Sequence, residues 1–328
     1  MELRTDRVAS GTPGAGENRP VAPHAVATGL AALPGHLALR LPYRPPFDWA
    51  GLLGFLGPRA IPGVERVEGD AWMRTVRTPS GPAVLRVRPL PAEPALVLEV
   101  RAPPEDAPSL VARIRRLFDL DADPGAIVAH LGRDPLLASH VARRPGLRVP
   151  GAWDPFETAV RAILGQQVSV AGATTLAGRL AASHGERFET EGFFRLFPAA
   201  GDLASLPEAG AGMPAARVRA IRAVATAVRS GALDFSGDRD SVAGSLLALP
   251  GIGPWTVGYL GLRVLADPDA FPAGDLGLRQ ALAAGGSLPS AADVEARAEP
   301  WRPYRAYAAM HLWASLADLP RPSRRSSR

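Results

Sequence analysis

Residues Leu249-Pro250-Gly251-Ile252-Gly253-Pro254-Trp255-Thr256 constrain this chain more than any other stretch. An apolar helical segment, Ser245 to Leu249, runs into a proline and two glycines. A second helical pattern then begins, with Trp255 and Tyr259 at i and i+4 on one face. Two helices joined by a Gly-x-Gly turn make a helix-hairpin-helix. Gly251 and Gly253 are expected to take backbone angles closed to other residues and to let another molecule approach closely. The N–H groups at the start of the second helix favour an anion, and for a basic chain a nucleic-acid phosphate is the obvious one. Taken alone, the same residues read equally well as a tight turn. They are not a dinucleotide fingerprint, because the lead-in is helical rather than a strand and Thr256 stands where a third glycine is needed.

The chain has 328 residues, 47% of them hydrophobic, enough for a sizeable core in two or three domains. Net charge is only +5, yet the isoelectric point is about 10.5, because none of the 37 basic residues is a lysine. Arginine forks suit phosphate contacts, although a GC-rich genome explains most of the arginine bias. Without a side-chain amine, Schiff-base chemistry has only the α-amino terminus to use. Without cysteine there are no disulfides, thiolate zinc sites or cysteine-held iron–sulfur clusters. The six histidines (24, 36, 130, 140, 184 and 311) show no close pairing in sequence, so no metal site is expected. No run has the length and apolarity of a membrane span, and no signal-peptide core opens the chain. A soluble intracellular protein is expected.

Residues 1–30 read as a flexible tail rich in Gly, Pro and Ala. Leu37, Leu39 and Leu41 alternate as in a strand, and Phe47 to Leu56 has helical spacing. Strand-like runs follow at Trp72–Arg77, Ala83–Arg88 and Ala95–Arg101, separated by Thr78-Pro79-Ser80-Gly81 and a Pro-rich stretch. Beyond Pro103-Pro104 the patterns are helical. Ser109 to Phe118 is one helix, and Asp123-Pro124 opens another. Arg143, Arg144 and Arg148 make a basic connection. Asp154, Pro155 and Glu157 form a capping-box arrangement. Ser169 is placed to cap a helix through Leu180, and the last helix is expected over Arg302 to Leu316.

Three blocks, in order, resemble one family: Asp154-Pro155-Phe156-Glu157 through Ile163-Leu164-Gly165-Gln166-Gln167-Val168-Ser169-Val170, then residues 249–256, then Phe271-Pro272-Ala273-Gly274-Asp275-Leu276. The resemblance is to the DNA-3-methyladenine glycosylase II type of the helix-hairpin-helix glycosylase superfamily, over about residues 36–318. It implies an α+β chain: a small N-terminal antiparallel-sheet α/β domain (31–106), followed by a mainly α-helical two-subdomain helix-hairpin-helix glycosylase fold. One subdomain would span 107–150 plus 269–320 and carry the catalytic aspartate. The other, 151–268, would end in the hairpin. Residues 321–328 are left as a basic tail.

The resemblance assigns Asp275 as the catalytic aspartate, although Gly-Asp before an apolar helix is also an N-cap signature. Asp267 and Asp269 are read as loop or capping residues. Trp255, Tyr259 and Trp313 match the family's base pocket, the alternative being core aromatics. Trp301, Tyr304 and Tyr307 are left as packing. Gly251, Ile252, Gly253 and Thr256 fall to DNA binding, and Gln167 either fills the gap left by a flipped nucleotide or is a glutamine buried in the bundle. Trp255 occupies the place where strand-cutting members of the superfamily carry a lysine.

The activity so implied is hydrolysis of the N-glycosidic bond of alkylated purines, of the 3-methyladenine and 7-methylguanine type, in duplex DNA. It would proceed by base flipping, without strand cleavage and without a cofactor. The partner would be damaged double-stranded DNA, with the protein a monomer in a bacterial cytoplasm, at the nucleoid. The competing reading is a helix-hairpin-helix DNA-binding protein without chemistry.

Overall fold

The structure, a computed structural model, describes residues 36–318 apart from 191, 209–211 and 284–285. The tails expected at 1–30 and 321–328 lie outside the described residues. The fold is α+β. Five strands, β1 (His36–Pro42), β2 (Glu65–Glu68), β3 (Ala71–Thr78), β4 (Gly81–Pro89) and β5 (Ala95–Arg101), form an antiparallel sheet of order β1-β5-β4-β3-β2. Its inner face follows from period-two alternation. Leu39 pairs with Leu98, Leu98 with Val87, and Val87 with Trp72, a continuous buried row across four strands.

Helix α1 (Trp49–Leu56) runs between β1 and β2, is capped by Asp48, and leads into a 3-10 turn, Gly57–Arg59. Helix α2 (Ala107–Leu117) buries Leu110, Val111, Ile114 and Leu117 in the sheet's core. That core therefore continues past residue 106, where the sequence pattern changes from strand to helix.

The remaining helices are α3 (Pro124–Leu131), α4 (Ala138–Arg143), α5 (Pro155–Leu164), α6 (Val170–His184), α7 (Ala200–Leu203), α8 (Ala215–Ser230), α9 (Arg239–Leu247), α10 (Pro254–Arg263), α11 (Leu276–Ala281), α12 (Ala291–Ala298) and α13 (Arg305–Ala317). They pack around two cores. One gathers α5, α6 and α8–α10. The other gathers α3, α4 and α11–α13 with Leu147, Val149, Leu262 and Phe271. Among the described residues no helix is long and apolar enough to cross a membrane.

Several local expectations are met: Asp123, Asp154 and Ser169 cap α3, α5 and α6 through their side chains. Others are corrected. The box at α5 is half-made. Asp154 accepts from the Glu157 N–H at 2.8 Å, but the Glu157 carboxylate does not return to the cap. It pairs with Arg74 of β3 at 2.6 Å, both side chains 4% exposed, because the sheet packs directly against this helix. Burial alone would raise the Glu157 carboxyl; Arg74 and Arg161 overcome it and hold the group below the usual range. The last helix starts at Arg305 rather than Arg302, since Pro303 precedes it. The sequence pattern also misses β2 and a short hairpin, β6 (Arg187–Thr190) with β7 (Phe193–Arg195). This hairpin lays Phe193 against Ala71 and Met73, which is why β3 is buried on both faces.

Candidate active site

Helices α9 and α10 form the expected hairpin, and its two glycines differ. Gly251 has φ 79°, and a Cβ there would lie 2.8 Å from Ala220 Cβ on α8, so both conformation and space demand glycine. Gly253 is extended at φ −116°, ψ 178°, which any residue adopts; the expectation of a restricted backbone is corrected there. A Cβ at Gly253 would meet open space, so what glycine provides is clearance at the surface. Gly253 is the N-cap of α10, and no side chain caps that helix, leaving its first turn open to an outside acceptor. Ile252 and Thr256 are buried, at 7% and 1% exposure, so a partner at the hairpin would meet their main chain.

Between α5 and α6 the alternative of a Gln167 buried in the bundle is corrected, because the structural bonds are made by its neighbour. Gln166 is the structural one. Its Nε2 donates to the Gly251 carbonyl at 2.9 Å and to Thr256 Oγ1 at 3.2 Å, and its main-chain carbonyl accepts from Arg217. Gln167 is exposed and stands in the left-handed region at φ 57°, a strained conformation for a side-chain-bearing residue. Val168 and Val170 beside it are also exposed, at 39% and 41%.

Asp275 is the N-cap of α11: its Oδ1 accepts from the Leu278 N–H at 3.1 Å. The same carboxylate accepts from two indoles. Trp255 Nε1 donates to Oδ2 at 2.8 Å, and Trp313 Nε1 donates to Oδ1 at 2.9 Å. The structure thus makes Asp275 a cap and a positioned carboxylate at once. Trp255 stacks on Tyr259 at a centroid distance of 5.5 Å, and Tyr259 lies 6.4 Å from the tilted Trp313 ring. Asp275, Trp255, Tyr259 and Trp313 line one cavity of about 370 Å3. A larger cavity of about 660 Å3 shares Phe55, Arg59 and Trp313 with it, but Asp275 is not in its wall.

The other acids and aromatics fall elsewhere. Asp267 pairs with Arg239, and Asp269 pairs with Arg302 and Arg305. Trp301 is buried and donates to Asp134. Tyr307 donates to Asp119, a carboxyl that burial pushes up to about 6.

The sequence offered no sign of the cavity's other wall. Phe55 and Arg59 come from α1 and the 3-10 turn after it, and Arg74, Trp153, Arg161 and Arg263 are also in the lining. Arg263 donates to the Pro150 and Gly151 carbonyls and, at 2.7 Å, to the Tyr259 hydroxyl. Burial alone would raise the Tyr259 phenol; the charges of Arg263, Arg59 and Arg161 outweigh it and hold the group below the ordinary tyrosine range. These residues carry no short-range motif.

Residues 38–154 match the AlkA N-terminal domain. The DNA-3-methyladenine glycosylase 2 of Escherichia coli K12 is 37% identical over 279 residues, covering 83% of this chain and 95% of that one. The chain belongs to the DNA-3-methyladenine glycosylase II family. A Mycobacterium tuberculosis H37Rv relative, named a probable bifunctional transcriptional activator/DNA repair enzyme AlkA, is 42% identical over 310 residues. This chain spans 62% of that relative's length. The fold of the family is shared by a solved 3-methyladenine DNA-glycosylase from Archaeoglobus fulgidus, with a TM-score of 0.74 at 22% identity over 84% of this chain and 96% of that one.

Proposed function

We propose that this chain is a monofunctional DNA glycosylase that flips alkylated purines out of duplex DNA and hydrolyses their N-glycosidic bond. The observation that carries the reading is the Asp275 carboxylate, held by the Trp255 and Trp313 indoles on the wall of an aromatic cavity. Loss of the base builds positive charge on the deoxyribose. A carboxylate fixed beforehand by N–H donors can face that charge without reorganising, and in a partly dry cavity its field is stronger than in water. The same oxygens can orient the attacking water or take its proton. The cavity walls stack on the extruded base, and the rings of Trp255, Tyr259 and Trp313 attract a cationic methylpurine by about 1–2 kcal/mol.

The rest of the machinery holds the DNA. The uncapped first turn of α10 receives a backbone phosphate, with Gly253 giving clearance. Gln167, exposed at the tip of its turn, enters the gap left by the flipped nucleotide. Trp255 stands in the lysine position and no lysine exists in the chain, so the sugar forms no Schiff base and the strand stays intact. The protein acts as a monomer on damaged duplex DNA, without a cofactor.

The test is single-turnover release of bases from methylated duplex DNA by wild type and Asp275→Asn, with strands examined before and after alkali. Release by wild type alone, with breakage only after alkali, is the expected result. Breakage without alkali would refute monofunctional chemistry. DNA binding without release of any base would instead make the chain a non-catalytic helix-hairpin-helix protein.

A further inference from the structure

Gln166 joins the two segments that the glycosylase reading puts against DNA. Its side chain reaches from the end of α5 to the hairpin, where Nε2 donates to the Gly251 carbonyl at 2.9 Å and to Thr256 Oγ1 at 3.2 Å. Gly251 lies in the turn and Thr256 in the first turn of α10, so one amide holds both sides of the helix end that is open to a phosphate. A side-chain amide nitrogen has two N–H donors, and both are used here.

The main chain of Gln166 is held as well. Its carbonyl accepts from Arg217 Nη2 of α8 at 2.6 Å. That carbonyl belongs to the peptide leading into Gln167, and the φ torsion of Gln167 is measured from the plane of that peptide. Gln167 keeps φ at 57°, and among the described residues its exposed side chain has no hydrogen-bond partner. Its own side chain therefore does not offset the left-handed backbone, which disfavours any residue with a Cβ. That role falls to the clamp on the preceding peptide. Arg217 lies one turn before Ala220, the residue against which Gly251 packs, so α8 braces the hairpin and the glutamine turn together.

We infer that Gln166 and Arg217 are positioning residues for the insertion of Gln167. They form a link between hairpin and turn that fixes where Gln167 enters the duplex once α10 has taken its phosphate. The inference rests on the proposed role of Gln167 in filling the gap left by the flipped nucleotide. The link matters because of what Gln167 is. A glutamine gains less than an apolar wedge from entering a base stack, and it loses side-chain freedom in doing so. A backbone already set in the inserted geometry leaves only the side chain to be ordered.

Insertion can be followed without chemistry. A duplex with a tetrahydrofuran abasic site and 2-aminopurine as its 3′ neighbour presents a ready-made gap, and a side chain entering that gap changes the stacking and the fluorescence of the 2-aminopurine. Wild type would be compared with Gln167→Ala, Gln166→Met, Arg217→Met, Arg217→Lys and the double variant Gln166→Met with Gln167→Ala. Gln166→Met keeps an unbranched chain and lacks both donors. Arg217→Met touches the turn only through one main-chain carbonyl, so it tests the link even if Gln166→Met unfolds the hairpin. Each Met variant is expected to slow the fluorescence change roughly tenfold, as for loss of one or two hydrogen bonds, and Arg217→Lys to recover part of it. Affinity for undamaged duplex, set by phosphate contacts, should stay within about twofold. With Gln167→Ala already present, Gln166→Met should have no further effect, whereas a residue that only stabilises the fold gives additive losses. Additive losses, or Met variants that insert at the wild-type rate, overturn the link and leave Gln167 as the inserting residue. A wild-type signal that Gln167→Ala does not change overturns the role of Gln167 and this inference with it.

Discussion

Trp255 and Asp275 are twenty residues apart in the chain, yet Trp255 Nε1 lies 2.8 Å from Asp275 Oδ2. The indole that sequence reading assigns to stacking on a base is also a hydrogen-bond donor to the carboxylate, and Trp313 does the same for the other oxygen. Each ring has a face for the cavity and an edge for Asp275. The hairpin, the turn before α11 and the final helix are locked to one another at this carboxylate.

This arrangement predicts that Trp255→Phe and Trp313→Phe each slow excision by about ten- to hundredfold, as expected for removing a hydrogen bond to a charged group. The ring is largely kept, so the affinity for lesion-bearing duplex should change much less than the single-turnover rate. Equal losses in rate and affinity would show that the rings act by stacking alone.

Asp275 also caps α11, and that role separates from chemistry. Asp275→Asn and Asp275→Ala should both lack excision. Asn leaves an oxygen to accept from the Leu278 N–H and Ala leaves none, so Ala should be less stable by about 1 kcal/mol. Urea midpoints of the two variants measure the difference.

The hairpin glycines should respond in opposite ways. Gly251→Ala places a Cβ 2.8 Å from Ala220 at φ 79°, and is expected to cost about 2 kcal/mol of stability. Gly253→Ala should leave stability within about 0.5 kcal/mol and weaken duplex binding roughly two- to fivefold by crowding the helix-end anion site. Thermal melting and fluorescence anisotropy distinguish these outcomes.

His311 on α13 is 3% exposed with an unpartnered Nδ1, and burial, with the nearby charges of His140 and Arg144, lowers its pKa to about 4. The folded value lies below the unfolded one, near 6.5, so the unfolded chain takes up the proton first. The resulting stability is present above pH 6.5 and is lost as pH falls toward 4, by about 3 kcal/mol in all. His311→Leu should flatten the stability profile across this window, measured by urea unfolding at pH 7 and pH 4.5.

Local rules account for much of the architecture. Alternation marks β1, β3, β4 and β5, and cap chemistry marks the starts of α3, α5 and α6, because these signals act between residues a few positions apart. They fail where a partner distant in the chain decides the outcome. Strand β2 is four residues with one apolar side chain, Val67, too few to show alternation, and exists because β3 offers it an edge. Glu157 sits where a capping box needs it, but a buried arginine on the sheet is a stronger partner for a carboxylate than one backbone N–H.

The site divides in the same way. The order of the Gln-Gln turn, the Pro-Gly-Ile-Gly-Pro hairpin and Gly-Asp is local chemistry, and the chain alone determines that a hairpin forms there, that Asp275 is placed to cap α11 and that no side-chain amine is at hand, whereas which of the two glycines needs its special backbone is decided by packing against α8. Tertiary packing decides that Trp255 and Trp313 aim their N–H groups at one carboxylate, that Gln166 is consumed by structure while Gln167 is left outside, and that Phe55 and Arg59 of the sheet domain wall the cavity. Those outcomes depend on where three hydrophobic cores meet. Contact between residues far apart in sequence leaves no periodic trace in either segment, so only the assembled structure contains it.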